Sequence, residues 1–241
     1  YSQYKKIIKI AHKNKLQFIV HTSREKERIL AIANDAVVHV HPIMWPAYPD
    51  TEHVDLEKYF TESKKLIVGL FGFVTEYKNY ELVLELLKIN PEAFNLLICG
   101  GVHPQSKMYG KKDMYVNKIE KMITKDISKS VFWKTGLTDK DFIAHMKSVD
   151  ICIVPYFETG QSGSGIVSLA IQNAKKTIIS DTTIASMIQE FLDQKLIVFD
   201  VNSTKNLYDA IHECNLDDSY RPKFHSSFEK MIDFYFSSLS N

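Results

Sequence analysis

From Lys64 onward, short apolar or β-branched runs alternate with segments of helical period, and six such pairs follow one another. This is the pattern of a βαβ array. The strand runs are Leu66 to Phe71, Asn95 to Cys99, Val131 to Trp133, Ile151 to Val154, Thr177 to Ile179 and Leu196 to Phe199. Each is continuously apolar rather than alternating, as strands buried on both faces are. The helical segments are Tyr80 to Lys88, Met114 to Thr124, Lys140 to Lys147, Gly165 to Ala174, Ile184 to Leu192 and Asn206 to Cys214. Thr138, with Asp141 three residues on, resembles a capping box for the third of them. The prediction is an α/β fold: a doubly wound, Rossmann-like parallel sheet of about six strands with helices on both faces.

Ahead of this array the pattern predicts a helix over Lys5 to His12, a strand over Leu16 to Val20, a helix over Arg24 to Ala33 and a strand over Val37 to His41. Pro42, Pro46 and Pro49 then interrupt, with Asp50 and Thr51, as a linker would. The division is therefore 1–50, an α/β lead-in or the trailing elements of a preceding domain; 51–220, the main domain; and 221–241, a C-terminal helix patterned at Ser227 to Tyr235 and frayed over Ser237 to Asn241. From a start at Tyr1 inside a Lys-rich helical pattern, the chain is expected to be a piece of a longer polypeptide.

Charge removes one class of function. Across 241 residues, 30 Lys plus Arg face 29 Asp plus Glu, so no global field gathers nucleic acid. Only Arg24, Arg28 and Arg221 carry the guanidinium fork with which sequence-reading proteins contact bases. Nucleic acid is not an expected partner. Cys99, Cys152 and Cys214 sit in apolar stretches without metal-ligand spacing, which reads as buried thiols in a reducing compartment. No apolar run approaches the roughly 18–20 residues that cross a bilayer. The expected location is cytoplasmic, with peripheral membrane association of the full-length protein left open.

In an open parallel sheet the ligand binds beyond the carboxyl ends of the strands. The loops predicted there are Gly72 to Asn79, Gly100 to Gln105, Thr135 to Leu137, Tyr156 to Gly165 and Asp181 to Thr183, and they concentrate Gly, Ser, Thr, Lys and His. The sharpest element is Gln161-Ser162-Gly163-Ser164-Gly165, which follows a buried strand and opens a helix. Backbone amides freed by the glycines, two hydroxyls and a helix dipole suit a phosphate or diphosphate; a merely flexible Gly/Ser turn with a good N-cap has the same composition. No Walker A spacing and no GxGxxG fingerprint are present. Lys78 stands at the head of the next helix, where an ammonium can reach a phosphate in the crevice. His103 follows Gly100-Gly101 and is a candidate contact to a phosphate or sugar hydroxyl. Glu158 is the one carboxylate near the anion loop. His21, His39 and His41 lie at or near strand ends of the lead-in, where a structural role is the simpler reading.

The order Gly72-Phe73, Lys78-Asn79, Leu96 to Gly101, Asp150 to Tyr156 and the Gln-Ser-Gly-Ser-Gly helix start resembles the C-terminal half of a GT-B-fold glycosyltransferase, family 4-like and retaining, over about Lys65 to His212. The residues before about Pro49 resemble the closing elements of the acceptor-side N-terminal domain. The resemblance implies a donor-binding lobe for a UDP- or GDP-linked sugar, with no cofactor and no metal. The acceptor would be a glycan, a lipid-linked saccharide or a protein. Lys78 and Glu158 are then the candidate catalytic residues. Gly72 and Gln161, Ser162, Gly163, Ser164 and Gly165 would hold the donor diphosphate, Thr135, Gly136, Leu137 and Ser168 would border nucleobase and ribose, and His103 would touch the sugar. The family's paired glutamates fall at Gln161 and Leu169, and the arginine of its first loop at Phe73, so all three are missing here.

Transfer without a DxD motif would rest on amides, hydroxyls and one ammonium that stabilise the leaving diphosphate. The missing N-terminal domain would supply most of the acceptor side, which leaves this fragment inactive or weakly active alone. Two other classes remain open: a non-catalytic GT-B partner subunit, which the absent glutamates favour, and a nucleotide-sugar epimerase, which needs a carboxylate or histidine close to the sugar.

Overall fold

The computed structural model describes residues 2–48, 51–61, 65–103 and 114–239; Pro49, Asp50, the outer part of the Gly100 to Gln105 loop and the last two residues lie outside them. Two layers of organisation follow the sequence. The lead-in consists of α1 (Ser2–Lys13), β1 (Phe18–Val20), α2 (Ser23–Leu30) and β2 (Val38–Val40), with β1 and β2 paired in parallel. The main unit runs β3 (Ile67–Phe71), α3 (Tyr80–Ile89), β4 (Asn95–Cys99), α4 (Met114–Met122), β5 (Val131–Lys134), α5 (Asp139–Ser148), β6 (Ile151–Val154), α6 (Gly165–Asn173), β7 (Thr177–Ser180), α7 (Thr183–Gln189), β8 (Val198–Phe199) and α8 (Thr204–Leu216). A last helix, α9 (Phe228–Leu239), follows.

The six strands β3 to β8 form one parallel sheet in the order β5-β4-β3-β6-β7-β8. Successive residues serve opposite faces. Val68, Leu70, Leu96, Ile98, Ile151 and Ile153 pack with α3, α4 and α8 on one side, while Ile67, Phe71, Leu97, Cys99 and Cys152 pack with α5, α6 and the 54–60 segment on the other. Both faces are covered, which is why the runs read as continuously apolar. The strand order reverses between β3 and β6, so the crevice of this doubly wound sheet opens between the loops that follow those two strands.

The three cysteines are buried free thiols. The box expected at α5 is only half formed. Thr138 Oγ1 accepts from Asp141 N at 3.1 Å, but the Asp141 carboxylate takes the Thr138 hydroxyl instead of a backbone N–H, because an aspartate is one methylene shorter than the usual glutamate. The last strand is shorter than its apolar run, since the Ile197 amide is taken by Tyr220 Oη.

The lead-in is joined to the main unit by specific bonds. Trp45 and Gln172 exchange a reciprocal pair, Trp45 N to Gln172 Oε1 and Gln172 Nε2 to Trp45 O, both 3.0 Å. Lys147 Nζ donates to Tyr48 O, and Ser23 Oγ to Glu190 Oε2. His39 and His41 pack against Phe234 of α9 at ring distances of 5.0 and 6.1 Å, and His21 Nδ1 bonds His41 O. All three histidines therefore have structural partners.

At the carboxyl edge, Gly100 lies so close to Gly72 that a Cβ on residue 100 would collide with the Gly72 carbonyl oxygen, whereas a Cβ on Gly101 would meet only Thr135, at 3.9 Å. Gly100→Ala should lower stability by at least about 2 kcal/mol and Gly101→Ala by under about 0.5 kcal/mol, read as shifts in the urea midpoint. His145 of α5 is 3% exposed, and its ring is stacked over Tyr59. Its Nδ1 donates to Asp141 O at 2.6 Å, and its Nε2 accepts from Lys134 Nζ at 3.3 Å. Burial, reinforced by the Lys134 ammonium, holds its pKa below the ordinary value. The unfolded chain therefore takes up this proton more readily than the folded one, and stability declines as pH falls below about 6.5 toward the depressed folded value. Urea melts between pH 7.5 and 5 should show that decline, and His145→Gln should flatten it.

Candidate functional site

The crevice is built from three loops and one helix start. After β3 the chain turns at Gly72 (φ +97°), a left-handed backbone that a side chain strains, and descends through a 3₁₀ turn, Glu76–Lys78. Asn79, also left-handed at φ +49°, then starts α3. This double reversal swings Lys78 back beneath Gly72. A Cβ at residue 72 would collide with Lys78 Nζ and touch Ile166 of α6 at 3.0 Å, so the first loop, the lysine and the helix start meet at one point.

Lys78 is therefore not the solvated head of a helix: it is 4% exposed. The rings of Tyr77 and Tyr156 lie 5.9 and 5.6 Å from its Nζ, and they meet each other edge to face at 5.3 Å. Among the described residues no carboxylate pairs with it and no hydrogen-bond acceptor is recorded for its Nζ. Burial lowers its pKa from 10.5 to about 8. Beside it, Asn79 Nδ2 is buried with no hydrogen-bond partner, and the buried Tyr156 Oη closes no bond of ordinary length. Each such group left unmet costs about 1–3 kcal/mol, and natural folds keep few of them. An ammonium and polar atoms without partners among the described residues, at a topological switch point, are groups that an anion could complete.

Across the crevice, Ser164 is the N-cap of α6 and its Oγ accepts from Val167 N at 3.4 Å. Among the described residues no acceptor is recorded for the amides of Ser162, Gly163, Ser164, Gly165 and Ile166. One side of this turn is occupied. A Cβ at residue 163 would meet Ile43 at 2.8 Å and one at residue 165 would meet Trp45 at 3.1 Å. The glycines thus serve a contact with the linker as well as freeing amides, a role the sequence reading did not include. Between the turn and the lead-in remains a cavity of about 20 Å³, lined by His21, Pro42, Ile43, Ser162, Gly163, Ser164 and Ser168, room for about one water. A much larger cleft, about 370 Å³, lies by the other end of α6 among Trp45, Gln172, Lys175, Arg221 and Phe224, away from the crevice.

The remaining candidates spread along the same edge. The Glu158 carboxylate accepts from the Thr183 amide at 2.6 Å and the Gly160 amide at 2.5 Å, and those bonds, Thr183's first, hold its pKa below the ordinary value. It clasps the loop to α7. Thr135 and Gly136 are exposed and Leu137 is half-buried at the end of the outer strand β5, with Thr135 alongside Gly101. Gln161 is exposed, Ser168 is buried next to the small cavity, and Leu169 packs into the core. His103 meets the Phe73 ring edge-on at 4.8 Å. Tyr77 and Tyr156 were not singled out from the sequence. Their signal is position alone, each in a loop directly beyond a buried strand on the binding edge.

Comparison with known proteins gives this geometry a family. No curated protein sequence matches the chain. Among solved structures, a glycosyltransferase from Rickettsia africae superposes with a TM-score of 0.63 at 15% identity, covering 89% of this chain and 57% of its own. Sucrose-phosphate synthase from Thermosynechococcus elongatus gives 0.58 at 17%, covering 85% and 50%. Anabaena HepE, solved in complex with UDP, gives 0.59 at 12%, covering 90% and 60%. These likenesses establish the GT-B fold, and the chain spans about half to three-fifths of the length of those proteins. The family model for glycosyl transferases group 1 matches residues 51–231, three-quarters of the sequence and the whole crevice: the chain belongs to the glycosyl transferases group 1 family.

Proposed function

We propose that this lobe holds the donor of a retaining sugar transfer, a nucleoside-diphosphate sugar, and stabilises its diphosphate as the leaving group without a metal ion. The observation that carries the reading is the buried Lys78 ammonium, without a counter-ion among the described residues, pressed against Gly72, which meets Ile166 at the start of α6. A diphosphate supplies the missing negative charge, and in a water-poor crevice each charge-assisted bond is stronger than at the surface. Ser162 and Ser164 add hydroxyl donors. Glu158 enters this reading as a positioning residue that holds the 156–165 loop, since both its oxygens are engaged with backbone amides. Thr135 to Leu137 would border the base, and Ser168 would stand near the ribose. Neighbours of the same fold crystallised with UDP and with UDP-glucose support a uridine nucleotide as the first donor to try. The acceptor side would come from elements beyond this chain.

The absent glutamates at Gln161 and Leu169, together with the cover of Ile43 and Trp45 on the glycine turn, favour a second reading: a partner subunit that keeps the shape and binds no donor. Calorimetry separates the two. Saturable binding of UDP, GDP or ADP is expected, weakened about tenfold or more by Lys78→Ala and about three- to tenfold by Ser162→Ala; silence for all three nucleotides overturns the donor-site reading in favour of the subunit.

The same titration carries a pH signature. Lys78 loses its proton as pH rises through about 8, and a bound diphosphate favours the protonated form. Affinity should therefore be level below pH 7 and fall above pH 8, with net proton uptake on binding in that upper range. Lys78→Arg, which stays charged, should remove the fall. Identical pH profiles for the two proteins would mean that Lys78 does not face the anion.

A further inference from the structure

Phe73 directly follows Gly72, and the residue is 45% exposed. A lone exposed aromatic is ordinary on a protein surface; this one is held. Gly72 N donates to Cys99 O at 2.9 Å and Val74 N to Gly101 O at 3.0 Å, so the backbone on both sides of Phe73 is tied to the end of β4 and the loop that follows it. Tyr80 Oη fixes the Gly72 carbonyl at 3.0 Å. Val74, the next residue, is fully buried in the core with α3, so the chain is anchored directly after Phe73 while Phe73 itself stays exposed in the loop beyond β3. The imidazole of His103 braces it edge-on, at 4.8 Å and 70° between planes. A rigid aromatic surface kept in water without packing a core is suited to a ligand with one flat apolar side and a polar rim, because burying it then costs little side-chain entropy. A pyranose has that form: axial and ring C–H groups on one face, hydroxyls around the edge.

We propose that Phe73, braced by His103, is the platform on which the C–H face of a pyranose rests, one residue from the diphosphate pocket at Gly72 and Lys78. The inference depends on the nucleotide-sugar reading for its neighbour and adds a contact that selects for the sugar. The ring is that of the donor sugar or of a saccharide acceptor, and these sources are distinguished by experiment.

The chain is titrated with UDP, UDP-glucose, GDP and GDP-mannose by calorimetry, and with free maltose by saturation-transfer NMR, as wild type, Phe73→Ala and Phe73→Tyr. If the donor sugar is the occupant, Phe73→Ala weakens a nucleotide sugar by about three- to tenfold and leaves the matching bare nucleotide within twofold, while Phe73→Tyr retains wild-type affinity. If an acceptor saccharide is the occupant, Phe73→Ala removes the maltose signal and leaves all four nucleotides unchanged. Equal losses for nucleotides with and without sugar, or no change in either arm while wild type still binds UDP or GDP, overturn the platform alone. Wild type that binds no nucleotide and no saccharide overturns the platform together with the donor-site reading. Unchanged thermal melts of both variants show that the exposed ring was removed without unfolding.

Discussion

The carboxyl edge of this sheet is organised by one close approach, that of the Gly72 carbonyl to Gly100. Only a residue without Cβ at position 100 lets the loop after β3 lie down on the end of β4, and that placement lets Gly72 N reach Cys99 O and Val74 N reach Gly101 O. With the loop fixed, its polypeptide has to reverse twice before α3, at Gly72 and Asn79, and the reversal drives Lys78 into the interior. The buried cation, the aromatic rings around it and the presentation of Phe73 are consequences of that contact. Trp133 of the neighbouring strand adds to the same point, its indole Nε1 donating to Gly100 O at 2.8 Å.

Which parts of this were legible in the sequence follows from the range of the forces involved. The strands of the main sheet were readable almost to the residue because burial on both faces imposes a local composition: Ile151–Val154 is wholly apolar, and Asn95–Cys99 has its one polar residue, Asn95, at its very start. The order of elements and the doubly wound class were legible for the same reason. Lys78 was legible as a candidate but not as a buried one, since its burial depends on the left-handed turn at Asn79 and on Tyr156 arriving from a strand more than seventy residues later in the chain. The contact of Ile43 and Trp45 with the glycine turn spans still more sequence and has no local signature. Glu158 illustrates the opposite error of scale: near the anion loop in sequence, its carboxylate is bound to amides of its own loop and of α7.

The glycine turn before α6 carries two requirements at once. Its missing side chains admit Ile43 and Trp45 from the linker, while among the described residues its amides meet no acceptor. A substitution at Gly163 or Gly165 therefore disturbs the junction with the lead-in before it reaches any anion, and for that reason Ser162 is the cleaner probe of the proposed phosphate contact. The reciprocal bonds between Trp45 and Gln172 hold the linker along the same helix, so the position of the lead-in and the shape of the anion turn are set by a shared set of contacts.

That no described carboxylate stands beside Lys78 is the feature that would separate a binding site from a structural lysine. A lysine held for structure is paired or bonded to carbonyl oxygens, as the half-buried Lys176 is: its Nζ donates to Cys214 O and Asp217 O at 2.8 Å. Lys78 has tyrosine faces in place of acceptors, which favour its charge by far less than its removal from water disfavours it. The fold gives up stability to keep that ammonium where it is, and under the proposed reading an entering anion would restore it. The unmet Asn79 Nδ2 and Tyr156 Oη point the same way, since both sit within the reach of the same loops. On the proposed reading, a lobe whose buried polar groups would be completed by a negatively charged guest is organised for binding first, and transfer chemistry would be a use of that binding.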